Sequence, residues 1–98
     1  MQILTTAVHF KADSTLLDFV QERLDKLEQI HDRILDAQVT LKLENSGQVR
    51  DKIVEISLRV PGERLFAKST DKTFEAACDA TCTALRRQLH KHKERTTV

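Results

Sequence analysis

The sequence predicts an α+β domain of order β-α-β-β-β-α, a four-stranded mixed sheet with two helices packed on one face. Three observations carry that prediction. Apolar residues recur at three- and four-residue spacing in two separate stretches, one after Asp13 and one after Asp71. Between those stretches, from Ala37 to Lys68, apolar and polar residues alternate in three runs divided by turn signals. Ahead of both, Gln2 to Phe10 is rich in residues that favour strands. A helix between strands one and two makes those strands parallel, joined by a right-handed crossover. Strands two, three and four follow as hairpins. Half-polar alternation implies one covered and one wet sheet face, so both helices must lie on the same side.

Each element has its own justification. In strand one, Ile3, Thr5 and Ala7 compete with Leu4, Val8 and Phe10 for the inward face. Asp13 or Ser14 then caps a helix expected over about Ser14 to Ile34. Leu16, Val20, Leu24, Leu27, His31 and Ile34 follow its inner spacing, with Asp18, Glu22, Asp25, Glu28 and Asp32 opposite. Arg23, Lys26 and Arg33 form a narrow basic stripe along one border of the apolar face. Snorkelling side chains make such a stripe, and so does one wall of a groove beside a second helix. Val39, Leu41 and Leu43 mark strand two, and Asn45-Ser46-Gly47 is a turn signal. Val54, Ile56, Leu58 and Val60 mark strand three. Val60-Pro61-Gly62-Glu63 places Pro and Gly where a type II turn needs them. In strand four Leu65 and Ala67 point inward, and Arg64, Phe66 and Lys68 outward. Helix two follows Ser69-Thr70-Asp71, with Asp71 as the expected cap. Phe74, Ala77, Cys78, Thr81, Cys82, Leu85 and Leu89 make its inner face, with Gln88 beside them. It is expected to reach Lys93, about 33 Å at ~1.5 Å per residue. Apolar anchoring stops at Leu89, so the basic end should overhang the sheet.

Composition bounds the rest. Ninety-eight residues suit one domain over 1–98, with a basic tail at 94–98 prone to fraying. A hydrophobic fraction of 40% against 32% charged fits a folded chain, and four Phe without Trp or Tyr leave an aliphatic core. No apolar run approaches the ~20 residues of a membrane helix. The start, Met1 to Thr6, has neither a charged region nor a cleavage-type signal, so the cytoplasm is expected. The net charge of +1 hides a polarity. Residues 1–36 carry seven acids against four bases, whereas Arg86 to Arg95 carry five bases against one acid. His90 and His92 add facultative charge there.

Catalysis finds no support. Gly47 and Gly62 are the two glycines, which excludes a phosphate-cradling loop. Cys78 and Cys82 share the inward face of helix two and read as buried thiols rather than a disulfide. Eight helical residues from Cys82 to His90 span about 12 Å, too far for zinc ligands at ~2.0–2.3 Å. His9 and His31 lack obvious partners and read as structural. The acids of helix one face solvent. The reading is a non-enzyme with no cofactor, no metal and no small-molecule substrate. Arg23, Lys26 and Arg33 on helix one can converge with Arg86, Arg87 and Lys91 on helix two into one RNA surface. The same basic run is also what a solvated helix end looks like, since Lys and Arg there complement the macrodipole. Phosphate contacts supply affinity without reading sequence. Phe66 is the sole outward aromatic, so a structured RNA suits this composition better than stacked single-strand bases.

Several runs give a resemblance. They are Phe19-Val20, then Arg23-Leu24-Asp25-Lys26-Leu27-Glu28-Gln29 and Asp32-Arg33-Ile34, then Val39-Thr40-Leu41-Lys42-Leu43-Glu44. The last is Arg87-Gln88-Leu89-His90-Lys91-His92-Lys93. Together they cover nearly the whole chain and resemble the ribosome hibernation-promoting factor and ribosome-associated inhibitor A family, also labelled sigma-54 modulation proteins. The start of helix two departs from it: Phe74 stands where the family usually has Tyr, and Thr81, Cys82 and Thr83 replace more apolar or charged residues. The resemblance is to the short forms, without the linker and second domain that dimerise ribosomes. It implies binding of the small ribosomal subunit where messenger and transfer RNA meet, with translation blocked in stationary phase or starvation. The basic positions that match are Arg23, Lys26 and Arg33, then Arg87, Lys91 and Lys93; charge alone adds Arg86. A monomer is expected when free. Two other readings stay open. One is a protein-interaction module using the exposed sheet face (Lys42, Arg59, Phe66, Lys68) or its edge. The other is a double-stranded RNA binder outside the ribosome.

Overall fold

A computed structural model describes residues 1–46 and 49–96, with side chains placed except at 45, 46, 49, 50 and 96. The order is β1 (Gln2–Val8), α1 (Ser14–Ile30), β2 (Asp36–Ser46), β3 (Val49–Val60), β4 (Glu63–Asp71) and α2 (Phe74–Thr96). The four strands form one sheet in the order β1-β2-β3-β4. β1 runs parallel to β2, and the other two pairings are antiparallel. The mixed sheet expected from the sequence is therefore present. The register also decides the face of β1: Ile3, Thr5 and Ala7 lie opposite Ala37, Val39 and Leu41, on the covered side.

The core lies between sheet and helices. Leu16, Val20, Leu24 and Leu27 of α1 meet Val39 and Leu41 of β2 and Val54, Ile56 and Leu58 of β3. Ala77, Cys78, Leu85 and Leu89 of α2 join the same cluster. Thr81 is fully buried, and its hydroxyl donates to the Ala77 carbonyl at 2.8 Å, which satisfies the polar group inside the helix. Phe10 stacks on Phe74 with ring centroids 4.6 Å apart, joining the entry to α1 with the first turn of α2. At the β3–β4 turn Gly62 has φ +89, the positive value a type II turn requires at its third residue.

Four expectations need correction. First, α1 ends at Ile30, not Ile34. His31 adopts φ −142 and ψ 109, and its Nδ1 accepts the Arg33 backbone N–H at 3.1 Å. That local bond competes with continued helix. Ile34 still reaches the core, from the connection to β2, and Arg33 leaves the helical stripe. Second, the cap of α2 is Thr73, whose Oγ1 accepts the Ala76 N–H at 3.1 Å. β4 keeps Asp71 paired opposite Lys52, so the helix starts later than the polar run suggested. Third, His31 does have partners, described below. Fourth, the basic end of α2 does not overhang: His92 is 4% exposed and extends the buried face beyond Leu89. The predicted turn at Asn45-Ser46-Gly47 falls partly outside the described residues, because β2 continues through Ser46 and Gly47 lies beyond them. Thr97 and Val98 of the expected tail also lie outside.

Candidate nucleic-acid interface

Both helices sit on one side of the sheet and pack against each other. Between them runs a cleft of about 210 Å³ lined by Arg23, Lys26, Leu27, Asp79, Cys82, Thr83 and Arg86. Three cations thus meet over a floor formed by a buried leucine and a buried thiol. Spacing explains the meeting. Arg23 and Lys26 lie beside Leu24 and Leu27, so burial of the leucines fixes the border on which the bases emerge. Arg86 follows buried Leu85 and emerges on the facing border of α2.

Arg23 is held firmly. Its Nε donates to Asp79 Oδ1 at 2.6 Å and its Nη1 to Glu22 Oε1 at 3.2 Å. The guanidinium carbon lies 4.1 Å from the centre of the Phe19 ring. The bond to Asp79 pushes the Arg23 pKa further up, so this side chain is cationic at any working pH. Lys26 is exposed and approaches Glu22 at 3.9 Å, one turn away. Beneath the cleft, the bond to Cys82 and burial push the Cys78 thiol up, leaving it protonated and unreactive. Both cysteines are free and buried, as their inward spacing predicted.

The other basic residues lie elsewhere. Arg87 and Lys91 line a second depression with Ala84 and Gln88, on another flank of α2. Gln88 donates there to the Phe66 carbonyl of β4 at 2.8 Å, tying the helix to the sheet edge. Lys93 reaches the Ile30 carbonyl at 3.5 Å, at the end of α1. Arg33 is exposed in the connection after α1. The structure therefore gathers Arg23, Lys26 and Arg86 in one cleft, and sets Arg87 and Lys91 on a separate flank of the same helix.

The open sheet face, like the cleft, pairs bases with acids. Lys42 pairs with Glu55 at 2.8 Å, Arg59 with Asp36 at 2.6 Å, and Arg64 donates to Ser57 at 2.9 Å. Its bases are thus largely spent on neighbouring strands, while Leu4 and Phe66 remain 64% and 53% exposed.

Sequence reasoning missed Asp79 and Glu63 as organisers of basic residues. Their acidic character gave no signal, because each acts on a residue far away in the chain, whereas Phe19 lies one helical turn before Arg23, a spacing the sequence shows. His92 had a signal: it follows Leu89 by three, continuing the inner spacing of α2.

Comparison with known proteins now bears on this arrangement. The family described as sigma 54 modulation protein / S30EA ribosomal protein matches residues 3–97. The chain belongs to this family. A ribosome hibernation promoting factor of Pseudomonas putida is 36% identical over 95 residues, covering 97% of this chain and 89% of the relative. One from Escherichia coli K12 is 34% identical, covering 97% and 96%. Among solved structures, the N-terminal domain of Thermus thermophilus Protein Y superposes with a TM-score of 0.81 at 25% identity, covering 94% of this chain and 99% of that one. A ribosomal subunit interface protein from Coxiella burnetii gives 0.86 at 20% identity, covering 96% and 99%, a likeness of fold. No described helix is long and apolar enough to cross a membrane.

Proposed function

We propose that this protein is a ribosome-associated hibernation factor of the cytoplasm, which binds the small subunit in the channel shared by messenger and transfer RNA. The observation that carries the reading is the cleft between α1 and α2, where Arg23, Lys26 and Arg86 converge around Asp79. Membership in a family whose relatives are named for ribosome hibernation supports the same partner. Ribosomal RNA phosphates meet the cleft cations, and Arg87, Lys91, Lys93 and Arg33 extend the contact along α2 and past the end of α1. Such contacts position the protein without reading bases. A bulky rigid domain seated there excludes messenger and transfer RNA, so translation stops by occlusion and no catalytic step or cofactor is required. The free protein is a monomer.

The rigidity of Arg23 matters for affinity. A guanidinium fixed by Asp79 and Phe19 loses little freedom on meeting a phosphate, whereas a mobile Lys loses more. Association should weaken steeply with salt, by a slope of about 0.7–0.9 for each phosphate neutralised. Co-sedimentation with ribosomes across a salt series tests the proposal. Replacing Arg86, Arg87 and Lys91 by Glu together should abolish pelleting at low salt while leaving circular dichroism unchanged. Undiminished pelleting of that variant would contradict it.

The exposed Leu4 and Phe66 favour one alternative, a protein partner on the open sheet face. A complex that persists after complete nuclease digestion of the RNA would support that partner instead.

A further inference from the structure

A polar cluster away from the cleft holds the far end of the same helix. It lies where three segments meet: His31 after α1, His92 and Arg95 in the last turns of α2, and Glu63 at the β3–β4 turn. His31 and His92 are 8% and 4% exposed, with ring centroids 5.4 Å apart. His31 Nδ1 accepts the Arg33 N–H, so in the neutral ring Nε2 carries the proton. His92 Nδ1 lies 2.6 Å from Glu63 Oε2. Arg95 Nη2 donates to both Glu63 oxygens, at 3.0 and 3.2 Å. Lys93, between His92 and Arg95, reaches the last carbonyl of α1.

An apolar trio would seat a helix end at least as well as this one, because buried ionisable groups carry a desolvation cost. Histidines at this junction therefore add something that leucines would not. We propose that His31, His92 and Glu63 are positioning residues that hold the basic end of α2 against α1, and that protonation of His31 releases this end and weakens RNA association. The proposal rests on the RNA-binding reading above.

The charges around the pair fix the direction. Glu63 is already taken up by His92 Nδ1 and by Arg95, so it is not open to a cation at His31. A proton on His31 would place a buried cation 5.4 Å from the His92 ring, beside Arg33 and Lys93. The acid that acts on His31 is Asp32, and Glu63 nearby serves His92 and Arg95. The bases that act on it are Arg33 beside it and Lys93 on α2, with Glu94 and Arg95 following Lys93 on the same helix. Burial, then the neighbouring His92, hold His31 below the usual histidine value. The bond from His92, reinforced by Arg95, holds Glu63 below the usual carboxylate range. At neutral pH the cluster therefore has a neutral His31 and an ionised Glu63, the state in which the end is seated. Acidification protonates His31, and the seat opens by moving His92 and its flanking Lys91 and Lys93 away from α1.

The sign separates this device from charge alone. Acidification makes the whole protein more cationic, and electrostatics by itself would tighten binding to RNA. Release of the helix end predicts the reverse. The experiment measures ribosome association at constant ionic strength near pH 7.5 and near pH 5.5, on either side of the ordinary histidine value. The native protein should bind more weakly at the lower pH, by up to about tenfold, the most that a histidine kept neutral one unit below its ordinary value can contribute. His31→Gln, which cannot take that proton, should change by less than about twofold on the same scale. His31→Asn serves as the second variant if the first is poorly folded. Equal or tighter binding of the native protein at low pH overturns the proposal. So does a loss that persists undiminished in a folded His31 variant. Amide hydrogen exchange over residues 89–95 is read in parallel, after correction for the intrinsic rate. Exchange that accelerates on acidification in the native protein but not in the variant supports the device. Exchange unchanged in both overturns it. If the native protein fails to bind ribosomes at either pH, the RNA-binding reading fails, and the exchange result still decides whether the histidines hold the helix.

Discussion

Replacing Leu89 by Ala isolates the apolar anchor beneath the basic half of α2. Leu89 is fully buried, one turn beyond Leu85 and three residues before His92. The change removes three carbons from a site enclosed by helix and sheet. Large-to-small substitutions of this kind cost about 2–5 kcal/mol, and a fully enclosed leucine at the rim of a core should fall near ~3 kcal/mol. For a domain this size that is a large share of the roughly 5–15 kcal/mol of total stability. It corresponds to a fall in Tm of roughly 12–24 °C. Urea unfolding followed by far-ultraviolet circular dichroism measures the loss directly. The combined Glu replacement of Arg86, Arg87 and Lys91 is the natural contrast. All three are exposed, so each substitution should move stability by no more than about 0.5 kcal/mol while removing ribosome association. A loss below about 1 kcal/mol for Leu89→Ala, with unchanged urea dependence, would refute the seating of this helix end on the core.

Two further outcomes follow from local geometry. Gly62→Ala should cost about 1–2 kcal/mol in the same unfolding assay; a Cβ there meets nothing within 4 Å, so the cost comes from φ +89 alone, and a neutral result would contradict the turn. Stability should also fall on acidification in two stages. His31 is held below its ordinary value, so its contribution is complete above the unfolded value of about 6.5 and is lost as pH drops through the depressed one. Glu63 is held below its own ordinary value, so its contribution is lost at still lower pH. His31→Gln should flatten the upper stage and leave the lower one, and an unchanged profile would show that His31 is not the titrating group.

The fold was legible because its periodicities are clean. Alternation through Val39 to Leu43 and Val54 to Val60, against three- and four-residue spacing through Leu16 to Leu27, leaves one arrangement of sheet and helices. The face of β1 was not legible, since Thr5 and Ala7 carry no more apolar weight than Leu4 and Val8. It was settled by register with β2. The end of α1 escaped because Ile34 keeps the helical spacing although the backbone has left the helix, turned by a single bond from Arg33 to His31. The basic residues were readable from charge and resemblance, but their grouping was not. Whether Arg86 or Arg87 faces α1 depends on 100° of rotation, which only the packed helix fixes. The inward spacing of His31 and His92 was readable, but their meeting at Glu63 was not, because it joins residues about thirty positions apart through a turn.

Hydroxyl-radical footprinting of ribosomal RNA, with and without the protein at low salt, tests the central claim most directly. Protection confined to the small-subunit channel of messenger and transfer RNA, and lost with the combined Glu replacement of Arg86, Arg87 and Lys91, is the predicted result. Protection elsewhere on the ribosome, or a channel footprint that survives those replacements, would contradict it.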